Sequence, residues 1–317
     1  MRYLVTGANG FIGRALCDAL RRRGCQVSAL LRRPAEGPWD RQIICDLAGE
    51  RISADWLADI DGVFHLAGIA HVLDEPGDDP DGYQRVNVDG TRHLLRAVEA
   101  AGVGRVVFFS SVKAAADPPD ECVDETWDAP PTDAYGRSKR AAERLLLARA
   151  GPSLHVCVLR PTLVYGAGVK GNLRRMIDAV AEGRFPPLPD LRNRRSMVGL
   201  DDLVEAAWLG MTRDAANGRI YIVEDGIDYA TRDLYLAICQ ALGRTPPTWT
   251  LPLPLLTVAA HLGDLLSFVV RRRMPFSSPA LERIRGSACY RSHRLRQELG
   301  WAPHSNFYDL LPDMLDK

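Results

Sequence analysis

The sequence has no surplus of either charge. Its 40 lysines and arginines balance 40 aspartates and glutamates over 317 residues, so no global field draws it to nucleic acid or an anionic surface. A small, locally gripped ligand is expected instead. Lysine is scarce, confined to Lys113, Lys139, Lys170 and Lys317, which makes each lysine informative where the arginine runs are not. The seven cysteines lack a CxxC pair or the Cys/His spacing of a metal site; they read as buried thiols in a reducing compartment, with no metal expected. The charged, apolar and small-residue zones of a signal peptide are missing after Met1, and a cytoplasmic location is the expectation. A clean membrane span is missing too. Prolines, His261 and Asp264 interrupt the most apolar stretch, 251–270, which is expected to be a buried helix, with weak surface attachment left open by Arg271 to Arg273. There are no internal repeats and no long low-complexity tract.

What is present in the first two-thirds is alternation. The apolar, β-branched runs RYLVTG, CQVSALL, GVFHLAG, RVVFFSS and HVCVLRPT are separated by helix-like stretches such as IGRALCDALRRRG and AYGRSKRAAERLLLARAG. Near-continuous apolar strands alternating with helices predict an α/β fold, a doubly wound parallel sheet covered on both faces. Such a sheet binds ligands at the carboxyl ends of its strands. From Gly166 onward, glycines and prolines break the pattern. A Rossmann-type unit over 1–165, joined by about 196–225, is expected beside a smaller, partly interleaved substrate-binding region over 166–195 and 226–317.

TGANGFIG places Gly7, Gly10 and Gly13 after a strand and before a helix opened by Phe11 and Ile12. Glycine there lets the backbone turn and approach a pyrophosphate, while the helix start offers free N–H groups and a positive dipole end. Asp46 and Leu47, after the third strand-like run, are candidates for the adenine amino group and ring face. Leu66, Ala67 and Gly68 supply small residues where backbone passes close to a cofactor, and His65 before them reads as a satisfied strand histidine. Arg32, nineteen residues after Gly13, stands where an acid would bind the ribose hydroxyls of NAD; arginine suits the 2′-phosphate of NADP.

YGRSK sets Tyr135 and Lys139 on one helix face. A lysine beside a phenol favours the phenolate, which equips the tyrosine to exchange a proton with a substrate hydroxyl. Ser110 and Ser111 end a strand about two dozen residues earlier, where a hydroxyl can polarise the same substrate oxygen.

With these pieces, together with NVDGT, RPTLVYGAG and RRSMVGLDDL, the chain resembles the extended short-chain dehydrogenase/reductase family over nearly its whole length. The resemblance implies Ser111 and Tyr135 around the reacting carbonyl and Lys139 bridging the tyrosine to the nicotinamide ribose. It also puts Asn87 near the cofactor and Pro161 to Val164 near the nicotinamide. Counting back from Ala116 prefers Ser111 to Ser110, although Ala114 to Ala116 lack the family's tyrosine-glycine pair. Many members act on nucleoside-diphosphate sugars; Arg195 matches the family's diphosphate-gripping arginine, and Asn172 and Arg283 are further substrate candidates. The closest subgroup comprises bacterial UDP-sugar 4-ketoreductases and 4-epimerases. Val112 and Lys113 replace the Asp-Glu pair of a dehydratase, which disfavours dehydration.

The leading expectation is therefore NADPH-dependent reduction of a UDP-4-keto-6-deoxy-hexosamine for polysaccharide synthesis. The alternatives are a UDP-hexose or UDP-N-acetylhexosamine 4-epimerase retaining NAD(H), a reductase of an unrelated ketone or aldehyde, and a nucleotide-sensing scaffold without catalysis. A homodimer through the helices after Asn87 and Tyr135 is also implied.

Overall fold

A computed structural model describes residues 1–49, 51–69, 80–118, 121–270 and 276–315. Among these residues seven strands form a wholly parallel sheet: β1 (Arg2–Thr6), β2 (Gln26–Leu31), β3 (Arg41–Ile44), β4 (Gly62–His65), β5 (Arg105–Phe109), β6 (His155–Pro161) and β9 (Arg219–Val223). Their order is β3-β2-β1-β4-β5-β6-β9. The order reverses between β1 and β4, the switch point at which such sheets open a crevice beyond their carboxyl ends. The fold class read from the alternation is the one observed.

Both sheet faces are covered because the strands are apolar on both. On one side Leu16, Cys17, Ala19 and Leu20 of α1 (Phe11–Arg22) and Leu203, Val204, Ala206 and Ala207 of α6 (Leu200–Thr212) pack over Val5, Ala29 and Leu159. The other side carries a continuous helical stretch and a second helix. The stretch runs from α2 (Pro80–Tyr83) through a π-type turn (Gln84–Asp89) into α3 (Gly90–Ala101), and α4 (Ala134–Leu147) lies beside it. Leu94, Leu95, Val98 and Leu146 are spent on that core. The outer groove between α3 and α4 is lined by Arg92, Arg96, Arg144 and Arg149, with Glu99 among them.

β7 (Leu163–Tyr165), β8 (Arg195–Gly199) and β10 (Asp228–Tyr229) form a second, three-stranded sheet. Its core joins Tyr165 and Tyr229 to α5 (Gly171–Ala181), α7 (Thr231–Ala241) and α11 (Phe307–Leu315). The phenols of Tyr165 and Tyr229 both donate to Asp225 Oδ2, at 2.8 and 2.7 Å. Two further helices, α8 (Leu253–Val270) and α9 (Ser278–Arg285), pack on each other, and α10 (His293–Leu299) lies against β9.

Two expectations are corrected here. Helix α8 is not buried. Leu256 and Ala260 face Leu188 and Leu281, but Leu255, Val258, Leu262 and Leu265 point outward, because only one stripe of the helix meets the rest of the chain. Arg271 to Arg273 lie outside the described residues. No described helix is long and apolar enough to cross a membrane. Nor are all seven cysteines thiols: Cys122 and Cys289 form a disulfide across a sequence separation of 167. A parallel bridge joins the adjoining Val123 and Tyr290, and the Cα atoms of the two cysteines lie 4.5 Å apart, a juxtaposition that no local spacing announces. Asp228 beside this disulfide is engaged by Arg194 and Arg291.

Candidate active site

The candidate residues lie at or beyond the carboxyl ends of β1 to β6. After β1, Gly7 adopts φ +70°, and a Cβ on Gly13 would sit 2.2 Å from the Gly7 carbonyl oxygen. The loop is therefore as tight as its glycines imply. It ends on Gly10, which caps α1 without a side chain, and no acid occupies the first turn of the helix. The resulting N–H cluster suits a pyrophosphate, and the residues present fit a dinucleotide. Phe11 packs toward the smaller core and Ile12 toward the larger.

The loop after β4 is fastened to the glycine loop by Thr6, whose Oγ1 accepts from the backbone N–H groups of Leu66 and Ala67 at 3.2 and 3.0 Å. Thr6 Oγ1 also lies 2.7 Å from His65 Nδ1, and His65 Nε2 lies 2.9 Å from Thr91 Oγ1. Burial holds His65 near pKa 3, with the Lys139 charge adding to the effect, so it is a neutral structural histidine. Thr6 and Thr91 are members of this chain that the spacing did not single out.

At the end of β2, Arg32 and Arg33 are exposed and have no hydrogen bond or ion pair among the described residues. Beyond β3, Asp46 is exposed and accepts from the Ala48 N–H at 3.0 Å. Leu47, expected against a ring face, is instead in the core with Leu57 and Leu94.

Asn87 lies in the π-type turn, a distortion often found where a helix must present a side chain. Its Oδ1 accepts from the Ile69 N–H at 2.8 Å, and its Nδ2 donates to Ser138 Oγ at 2.9 Å. A Cβ on Gly68 would lie 2.9 Å from Asn87 Oδ1 and 3.9 Å from Lys139 Nζ. Gly68, Asn87 and Lys139, far apart in sequence, thus converge.

Ser111 caps a short 3-10 turn (Val112–Ala114), with its Oγ accepting from the Lys113 N–H. It is also hydrogen-bonded to the Tyr135 side chain. Ser110 is otherwise committed: its hydroxyl donates to Glu143 Oε1 at 2.5 Å, in a buried group with Arg160. Gly136, beside the tyrosine, allows α4 to approach the carbonyl oxygen of Lys113, which a Cβ there would meet at 2.1 Å.

The electrostatics of the pair differ from the simple expectation. Burial pushes the Tyr135 phenol up to about 12, against the opposing effect of Ser111. Burial also brings Lys139 down to about 8, against the Glu143 carboxylate. Lys139 Nζ donates to the Phe109 carbonyl at 2.6 Å and lies 4.3 Å from the centre of the Phe108 ring. The ammonium is held by β5, and desolvation dominates the shift of each group.

On the opposite wall, Arg195 Nη2 donates to the carbonyls of Arg283 and Gly286 at the carboxyl end of α9, the latter at 3.0 Å. Asn193 Nδ2 supports the same turn through Ile284 and Gly286. Arg195 is thus partly spent on holding α9, an arrangement invisible in its local motif. Asn172 is exposed at the start of α5, and Arg283 is exposed on α9. Pro161 ends β6 and Val164 lies in β7. The AAA segment is tied across to this wall: Asp117 accepts from the Tyr290 phenol at 3.3 Å and pairs with Lys113.

Comparison with known proteins agrees with this geometry. The model of the NAD dependent epimerase/dehydratase family matches residues 3–223. The chain belongs to that family. It is 30% identical to a UDP-glucose 4-epimerase of Vibrio cholerae, over 95% of this chain and 90% of the relative. It is 28% identical to a 4-hydroxy-2-methyl-3-oxo-4-farnesyl-3,4-dihydroquinoline-1-oxide ketoreductase of Stigmatella aurantiaca, over 95% and 92%. Among solved structures, MoeE5 in complex with UDP-glucose and NAD superposes with a TM-score of 0.77 at 27% identity, covering 100% of this chain and 98% of that one. The chain is an enzyme of the oxidoreductase and epimerase kind.

Proposed function

We propose that this enzyme reduces the C4 ketone of a UDP-4-keto-6-deoxy-hexosamine with NADPH. The observation that carries the cofactor and the direction is Arg32, exposed and unpaired beside Arg33 where NAD enzymes carry an acid. The glycine loop and the start of α1 would hold the pyrophosphate, Arg32 the 2′-phosphate, Asp46 the adenine edge, and Asn87 and Lys139 the nicotinamide side.

When bound, the reduced cofactor supplies hydride to C4. Ser111 donates a hydrogen bond to the ketone oxygen, and Tyr135, whose raised pKa keeps its proton at neutral pH, delivers that proton as the oxygen becomes an alcohol. Lys139 then compensates the phenolate. The free donors of Arg195, with Arg283 and Asn172, would grip the diphosphate. A cytoplasmic location, a homodimer and the two-region division, 1–165 with about 196–225 against the remainder, belong to the same reading.

Steady NADPH oxidation with a UDP-4-keto sugar is the expected result. The Arg32→Asp variant should shift preference toward NADH by about tenfold or more. Arg195→Ala should lose activity on the UDP sugar while sparing a small ketone; equal loss on both would remove the diphosphate reading. A second reading, 4-epimerisation of a UDP-sugar with retained NAD, draws support from the Vibrio cholerae relative. Tightly held NAD released on denaturation, with C4 inversion and no net cofactor consumption, would replace reduction by epimerisation.

A further inference from the structure

The peptide that leaves β5, between Phe109 and Ser110, is gripped at both ends. Its N–H donates to the Leu159 carbonyl of β6 at 2.7 Å, and its carbonyl accepts from Lys139 Nζ at 2.6 Å. A peptide group is planar and rigid, so whatever fixes one end aims the other. The Ser110 side chain adds a third tie, its hydroxyl donating to Glu143 Oε1 at 2.5 Å. An ionised carboxylate only accepts, and Glu143 also accepts from Arg160 Nε and Nη2 at 2.8 and 2.6 Å. Because Arg160 follows Leu159 in β6, these bonds close a ring through β5, β6 and α4. Its side chains are almost wholly excluded from water, Glu143 at 2% exposure.

Glu143 is also in register with the YGRSK motif. Tyr135, Lys139 and Glu143 recur at intervals of four along one face of α4. Three consecutive residues meet them: Ser111 bonds the Tyr135 side chain, the Phe109 carbonyl takes Lys139, and the Ser110 hydroxyl takes Glu143. We propose that Glu143 is a positioning residue: through Ser110 it holds the peptide that anchors Lys139, and with it the register of Ser111 against Tyr135. The proposal rests on the reading of Ser111, Tyr135 and Lys139 as the acid-base set, and applies to reduction and epimerisation alike. A pair serving only to join β6 to α4 would not need Ser110. The titratable and charged groups facing Lys139 are Tyr135 and Glu143 from its own helix, His65 from β4 and, behind Glu143, Arg160 from β6. Of these, Glu143 favours the ammonium.

Two measurements on the full chain test this. In protein labelled with 15N-lysine, the Lys139 Nζ signal, one of four, is identified by its loss in Lys139→Met. It should titrate near 8 in wild type and about one pH unit lower in Glu143→Gln, a roughly tenfold loss of proton affinity, because the Arg160 charge is then unopposed. Ser110→Ala leaves the ion pair whole and decides the matter should Glu143→Gln not fold. It should lower kcat about tenfold with KM changed less than about twofold, and Ser110→Thr should restore most of the loss. A Lys139 titration unmoved by Glu143→Gln, or kcat unchanged in Ser110→Ala, overturns the proposal. Undiminished turnover in Tyr135→Phe overturns instead the acid-base reading beneath it.

Discussion

Tyr135 and Lys139 occupy adjacent turns of α4, yet burial moves their titrations in opposite senses. The phenol rises to about 12 and the ammonium falls to about 8. For the lysine, the unfolded chain binds the proton more tightly than the folded one. Its charged form therefore weakens the fold below about pH 8, and that cost disappears as pH climbs toward the ordinary lysine value of 10.5. Urea titrations should show wild type gaining stability relative to Lys139→Met across that window, by up to roughly 3 kcal/mol. A flat difference would mean that the ammonium is well solvated. Tyr135→Phe should leave the thermal transition nearly unchanged while lowering kcat about a hundredfold to ten-thousandfold. Unchanged turnover in that variant would remove Tyr135 from the proton-transfer role.

Elements are joined at the site by the buried Arg160–Glu143 pair. Arg160 of β6 reaches both carboxylate oxygens of Glu143 on α4, at 2.8 and 2.6 Å, and Ser110 at the end of β5 donates to the same carboxylate. Three elements are thereby fixed directly behind Ser111 and Lys139. Arg160→Met should cost about 3–5 kcal/mol in urea denaturation by stranding a buried charge, and adding Glu143→Gln should recover part of the loss. Full additivity of the two substitutions would show that the pair is not a unit. The Tyr-x-x-x-Lys face was legible in the sequence because helical period is local. The triad behind it was not, because Glu143 reads as an ordinary helix acid until β6 lies beside it.

Across the whole molecule, the Cys122–Cys289 disulfide ties the segment leading from Ser111 to Tyr135 onto the chain following α9. Replacing both cysteines with serine should lower stability by about 2–4 kcal/mol. A thiol reductant should shift the denaturation midpoint of wild type but not of that variant; equal shifts would locate the effect elsewhere. The same segment is tied again by the Val123–Tyr290 bridge and by Tyr290 with Asp117, so the wall carrying Arg195 and the loop carrying Ser111 are held to one another at several points.

The sequence by itself determined the parallel sheet, the tight glycine turn after β1, the single helix that carries Tyr135 and Lys139, and the exposed arginine after β2. These depend on spacing within a strand, a turn or a helix, where covalent connection and backbone period dictate proximity. Tertiary structure alone decided that Ser110 is spent on Glu143, that Leu47 belongs to the core, that Arg195 holds the end of α9, that two cysteines are joined and that α8 shows an apolar face outward. Each of these depends on which distant segments pack together, so residues of one type acquire different chemistry according to what the fold places beside them.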